Sequence, residues 1–198
     1  MPKLQLAVDF VEFERAKEIA EECKNFVDII EVGTPLIKSE GMNVVREFKR
    51  NFKDKIICAD MKTIDTGRIE VEMAAKSGAD IVCILGVSDD AVIEECLKAG
   101  KNYGCRIMVD MMNVENFIEK SKKILQIDNN AIICMHLGID QQMRGKNLID
   151  ELKNLSKSIN KDNIAAAGGI NLENVKEISK FAEIIIVGQA ITKSRNAS

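Results

Sequence analysis

The sequence of 198 residues has no tryptophan, a single tyrosine (Tyr103), a single histidine (His136) and two prolines. Aromatic side chains are only 4% of it, too few to build stacking platforms for bases or belts at a membrane interface. Neither sign of charge dominates: 28 Lys plus Arg stand against 31 Asp plus Glu, for a net charge of -3. No long-range basic field therefore holds nucleic acid or an anionic membrane, and neither partner is expected. Every apolar run is short of the roughly 18 residues of a membrane span. The N-terminal stretch carries acidic residues directly after a brief apolar run, unlike a secretory leader, so a cytoplasmic protein is expected. The six cysteines form no C-x-x-C pair, and several fall inside apolar runs. They read as buried, reduced thiols and not as disulfides or zinc ligands.

What is present fits one globular domain, with 46% hydrophobic and 30% charged residues. Eight short runs rich in Val, Ile and Ala recur along the chain: Leu4 to Val8, Val27 to Val32, Ile56 to Ala59, Ile81 to Leu85, Ile107 to Val109, Ala131 to Met135, Ile164 to Ala167 and Ile184 to Val187. They show little polar alternation, as expected for parallel strands covered on both faces. Segments such as ERAKEIAEECKNF, GMNVVREFKRNF, GRIEVEMAAKSG, DDAVIEECLKAGKNYG and NVENFIEKSKKIL lie between them with apolar positions at helical spacing. Ser88 or Asp89 suits an N-cap, while Gly78 and Gly104 stand where helices stop. The runs start 20 to 33 residues apart, the length of one strand, loop and helix. Eight such units predict an α/β fold, a (β/α)8 TIM barrel in a single domain over residues 1–198. An open doubly wound sheet is the rival, but its usual G-x-G-x-x-G turn is absent after the first run, which continues VDFVEFE. Only about ten residues follow the eighth run, so the last helix is short or missing.

A barrel of this kind gathers its chemistry at the carboxyl ends of the strands. Asp9, Glu31, Asp60 with Lys62 and Asp65, Asp110, His136, Gly168 with Gly169, and Gly188 all fall there. One aspartate after a strand is an ordinary turn or cap residue, but five strand ends carrying a carboxylate or imidazole converge on one rim. In ADMKTIDTG the spacing D-x-K-x-x-D packs three charges into a small volume, keeping the Lys62 ammonium protonated where an oxyanion could form. Glu31 and Asp60 end neighbouring strands and offer two oxygen ligands to a hard cation such as Mg2+ or Mn2+. A lone histidine beside apolar residues is often a core group, yet on this rim His136 is the side chain whose ordinary pKa suits proton abstraction near neutrality. AAAGGI and IVGQAI follow the seventh and eighth runs, where glycines let backbone N–H groups approach a phosphate.

EVGTP, ADMKTIDTG, GADIVCILGVSDD, VDMMNV, H-x-G-x-D-x-Q, AAGGI and IVGQAI together resemble the orotidine 5'-phosphate decarboxylase suprafamily along essentially the whole chain, and within it the hexulose phosphate synthase branch. The resemblance implies a divalent-metal aldolase that joins formaldehyde to a sugar phosphate, D-ribulose 5-phosphate, through an enediolate. It implies His136 as general acid/base, Glu31 and Asp60 as metal ligands, Lys62 as oxyanion partner, Asp9 as an orienting group, and a homodimer in which Asp65 enters the neighbouring site. The alternative is the branch that decarboxylates 3-keto-L-gulonate 6-phosphate, which shares Asp9, Glu31, Asp60, Lys62, Asp65 and His136. That branch has arginine where Ile139 stands, a Glu-Leu-Thr-Gly-like segment in place of VDMMNV, and arginine in place of Gln189 in the last phosphate loop. The family often has threonine where Leu137 stands and a longer final helix. A further alternative is a barrel that binds sugar phosphates without turning them over.

Overall fold

The structure is a computed structural model, describing residues 1–138 and 147–194. Its eight strands, β1 (Lys3–Val8), β2 (Ile29–Val32), β3 (Ile56–Thr63), β4 (Ile81–Leu85), β5 (Arg106–Asp110), β6 (Ile132–His136), β7 (Ile164–Ala167) and β8 (Ile184–Val187), pair in chain order. Each neighbour is parallel, and β8 closes on β1 with Lys3 opposite Ile184. The closed barrel leaves no free sheet edge. Between the strands run α1 (Phe13–Cys23), α2 (Thr34–Glu40), α3 (Asn43–Asn51), α4 (Gly67–Lys76), α5 (Asp90–Tyr103), α6 (Phe117–Ile127), α7 (Leu148–Ser156) and α8 (Val175–Ile178). The expected short last helix is α9 (Gln189–Thr192), a single turn.

Alternation along the strands explains why the runs lack polar residues. Ala7, Ile29, Cys58, Cys83, Met108, Cys134 and Ile186 fill the barrel interior, while Leu6, Ile30, Ile57, Val82 and Ile133 pack outward under the helices. Both faces are buried, so both are apolar. All six cysteines are buried, as their setting in the sequence suggests. Asp89 caps α5, its side chain accepting from the Ala91 N–H at 2.9 Å, whereas Ser88 turns its hydroxyl to the Thr63 carbonyl. Gly104 ends α5 in the left-handed region at φ 74°.

Apart from shifts of a single residue at strand ends, three features differ from the sequence reading. β2 starts at Ile29, because Asp28 instead secures β1: its carboxylate accepts from the Leu4 N–H at 2.9 Å. TPLIKSE forms α2, a helix too short to register as a periodic segment, opened by Pro35 in its first turn. β3 continues past Ala59 through Asp60 and Lys62 to Thr63, with its register against β4 shifting between Asp60 and Thr63. The extra residues make a bulge at the carboxyl end of the strand, a device that re-aims side chains.

Candidate active site

The carboxyl ends of the strands enclose a cavity of about 450 Å3. Asp9, Glu31, Asp60, Lys62, Asp110, His136, Gly168, Gly169, Gly188 and Gln189 all line it. Residues from seven strand ends, as far apart in sequence as Asp9 and Gln189, therefore share one space. Asp65 stands outside this cavity: it is exposed on the loop before α4, and its carboxylate accepts from the Thr66 N–H at 2.7 Å. Ile139, Asp140 and Gln142 lie outside the described residues.

The β3 bulge explains the position of the lysine. Lys62 sits in the left-handed region at φ 47°, a conformation that costs a side-chain-bearing residue about 1 to 3 kcal/mol and is held only where the surroundings over-determine it. Its ammonium lies 3.0 Å from Asp60 Oδ2 and 3.3 Å from Asp110 Oδ2. The same Asp110 Oδ2 is 2.8 Å from His136 Nδ1, so one buried oxygen joins the lysine to the imidazole. The other Asp110 oxygen accepts from the Met112 N–H at 2.9 Å, which locks the carboxylate. Thr34, at the start of α2, donates to Asp60, its hydroxyl 2.7 Å from Oδ2 and 2.8 Å from the Asp60 carbonyl. Glu31 accepts a hydrogen bond from Gln5 Nε2. Neither Thr34 nor Gln5 stands out from the strand-end pattern, although a glutamine inside the run KLQLAV was a visible anomaly.

These contacts sort the acids by environment. Burial raises Asp110, but the hydrogen bond and charge of His136 together with Lys62 outweigh it and hold the carboxyl below the usual aspartate range. Burial and the neighbouring Asp60 push Glu31 up to about 8. Asp9 is raised for the same two reasons, with Lys62 and His136 working against them. Burial opposes the Lys62 charge, yet Asp60, the Cys83 thiol and Asp110 outweigh it, so the amine is protonated throughout the working range. Among the described residues, four carboxyl groups and one ammonium line the cavity.

The seventh loop depends on glycine. Gly168 and Gly169 take φ 99° and 66°, and a Cβ on Gly168 would stand 2.0 Å from the Leu137 carbonyl oxygen. Gly168→Ala is expected to cost about 3 kcal/mol, lowering Tm by roughly 10 °C. A thermal melt unchanged from that of the parent protein would contradict this account of the loop.

A parallel barrel carrying an aspartate and a lysine at the end of its third strand and glycine loops after its seventh and eighth defines a class, and the chain belongs to it: residues 2–198 match the orotidine 5'-phosphate decarboxylase / HUMPS family. Particular relatives narrow the class. The chain is 37% identical over 195 residues to the 3-hexulose-6-phosphate synthase of Bacillus subtilis (strain 168), covering 97% of this chain and 91% of that one. It superimposes on the crystal structure of 3-hexulose-6-phosphate synthase from Salmonella typhimurium with a TM-score of 0.92 at 36% identity, covering 98% and 92% of the two chains. It is more distantly similar to a 3-keto-L-gulonate-6-phosphate decarboxylase from Vibrio cholerae, with a TM-score of 0.87 at 26% identity over 99% of this chain and 92% of that one.

Proposed function

We propose that this cavity condenses formaldehyde with D-ribulose 5-phosphate to D-arabino-hex-3-ulose 6-phosphate, the 3-hexulose-6-phosphate synthase reaction, reversibly and through an enediolate. The observation that carries the reading is the single Asp110 oxygen shared by Lys62 and His136, which sets a proton-transfer group beside a fixed cation in the cavity that also holds Glu31 and Asp60. The relatives named for this reaction at 36 and 37% identity support it.

The donor set fits a hard divalent cation. Glu31 and Asp60 present oxygens in a cavity whose described residues carry more acids than cations, and a cation would offset the repulsion that raises Glu31. Among the described residues no group of three or more His, Cys, Asp or Glu side chains is arranged to hold a metal unaided. Two carboxylates completed by water and substrate oxygens are a usual set for Mg2+. Glu31 and Asp60 would hold Mg2+ or Mn2+, whose contribution when bound is to polarise substrate oxygens as a Lewis acid.

The remaining steps belong to the chain's own side chains. With Nδ1 tied to the ionised Asp110, His136 carries its proton there and presents Nε2 as the base. Nε2 takes a proton from the hydroxymethyl carbon beside the substrate carbonyl. That carbon then bonds to the carbon of formaldehyde, and the aldehyde oxygen takes the proton back from His136. The Lys62 ammonium lies against the oxyanion as its charge develops, with no reorganisation needed at that moment. Asp9 orients Lys62 or a substrate hydroxyl. The Gly168, Gly169, Gly188 and Gln189 backbone takes the phosphate at the far wall.

A homodimer completes this reading, with Asp65 reaching the neighbouring copy's site. Asp65 is exposed, and Ile64, Ile69 and Met73 beside it are 57%, 59% and 44% exposed, Ile69 and Met73 one turn apart on α4. The test is formaldehyde consumption that depends on D-ribulose 5-phosphate, run alongside sedimentation. Release of CO2 from 3-keto-L-gulonate 6-phosphate in place of that activity would overturn the assignment. Binding of sugar phosphate without turnover of either substrate would leave a non-catalytic barrel. An active monomer would remove the role of Asp65 across the interface.

A further inference from the structure

Gln5 lies in the middle of β1, two residues before Ala7 and on the same, inward face of the strand. It is wholly buried, in a barrel interior that also holds apolar side chains such as Ile29, Cys58 and Ile184. Its Nε2 donates to Glu31 Oε2. Its Oε1 is the one buried side-chain oxygen or nitrogen, among the described residues, that has no hydrogen-bond partner. A leucine or methionine would fill the same volume without stranding a carbonyl, so packing gives no reason for an amide here. The reason has to come from the group it touches.

We propose that Gln5 is a positioning residue for the cation site. By donating to Oε2 from the barrel floor, it fixes the Glu31 carboxylate in one orientation and leaves Oε1 as the oxygen open to a cation. The idea rests on the reading of Glu31 as a ligand. Groups that hydrogen-bond to a metal's ligands commonly alter its affinity by about 10- to 100-fold when removed, because an unguided carboxylate must be ordered at the moment of binding. The orphaned Oε1 is consistent with this: the amide is oriented to give its N–H to Glu31 even though its carbonyl goes unmatched.

The test is binding of Mn2+ alone to the full chain, followed by the electron paramagnetic resonance signal of the free ion. Gln5→Met keeps the length and volume of the side chain and removes the donor, Gln5→Leu is a second apolar replacement, and Glu31→Gln is the control. Both Gln5 variants are expected to weaken Mn2+ binding about 10- to 100-fold with Tm unchanged or higher. Saturating Mn2+ should return most of the turnover in Gln5→Met but not in Glu31→Gln. Normal affinity in either folded Gln5 variant, with loss in Glu31→Gln, overturns the role of Gln5 alone. Unchanged affinity in Glu31→Gln overturns the cation site and the role of Gln5 with it. Failure of both Gln5 variants to fold would make the residue structural and would also overturn the proposal.

Discussion

Lys62→Ala is expected to reduce kcat/KM by at least about a thousandfold, chiefly through kcat, while the far-UV circular dichroism of the barrel is unchanged. The ammonium is fixed between Asp60 at 3.0 Å and Asp110 at 3.3 Å, and the bulge of β3 holds its backbone at φ 47°. Such a group gives little to ground-state affinity, because the substrate is neutral where the oxyanion will form. Its effect belongs to the transition state, and a loss confined to that state lowers kcat with KM little changed. The substitution also strips the cation from between two buried carboxylates, leaving Asp110 with His136 and the Met112 N–H as partners. Near-normal turnover in Lys62→Ala would dismiss the assignment of the lysine and, with it, the acid–lysine–imidazole chain.

Dialysis against EDTA should abolish turnover, and Mg2+ or Mn2+ should restore it. The physical ground is the charge balance of the cavity, where among the described residues Asp9, Glu31, Asp60 and Asp110 face the single ammonium of Lys62. Burial and the neighbouring Asp60 hold two of these acids, Glu31 and Asp9, above their ordinary range, as expected where acids crowd a buried site. Lys62 is already paired with Asp60 and Asp110, so this one ammonium cannot offset the whole charge of an enediolate and that of Glu31 as well. Activity is therefore expected to fall by several orders of magnitude without the ion, since Lewis-acid stabilisation of an oxyanion is worth several kcal/mol. Full activity in the metal-free enzyme would take Glu31 and Asp60 out of their roles. Loss of activity that no divalent ion recovers would point to damage by the treatment and would call for the Mn2+ titration of the Gln5 series as arbiter.

The eight strands were legible because a parallel barrel buries both faces of each one, so they stand out as unbroken apolar runs such as Ile81–Leu85 and Ile184–Val187. The candidate site was legible for a related reason. Charged residues placed directly after such runs must lie at one end of the barrel, whatever their separation in the chain. Harder to read were features that depend on a neighbour. α2 is only seven residues long, and nothing in TPLIKSE repeats at helical spacing for long enough to reveal it. The extension of β3 beyond Ala59 comes from pairing with β4, and its bulge from a register shift that no local preference encodes. Asp65, grouped with Lys62 by spacing, lies outside the cavity because three residues past the bulge the chain has already turned toward α4.

Taken by itself, the sequence determined the number and order of strands, the rim on which acids, amine and imidazole assemble, and the glycine loops, because each is set by apolar periodicity or by position relative to a strand. Only the tertiary structure decided that Asp110 is shared by Lys62 and His136, that Thr34 steadies Asp60 and that Gln5 grips Glu31. Those pairings join strands and loops 26 to 48 residues apart, and a hydrogen bond responds to differences of tenths of an ångström. Closure of the barrel and its stagger bring such atoms within reach, and neither is written in the spacing of any one segment.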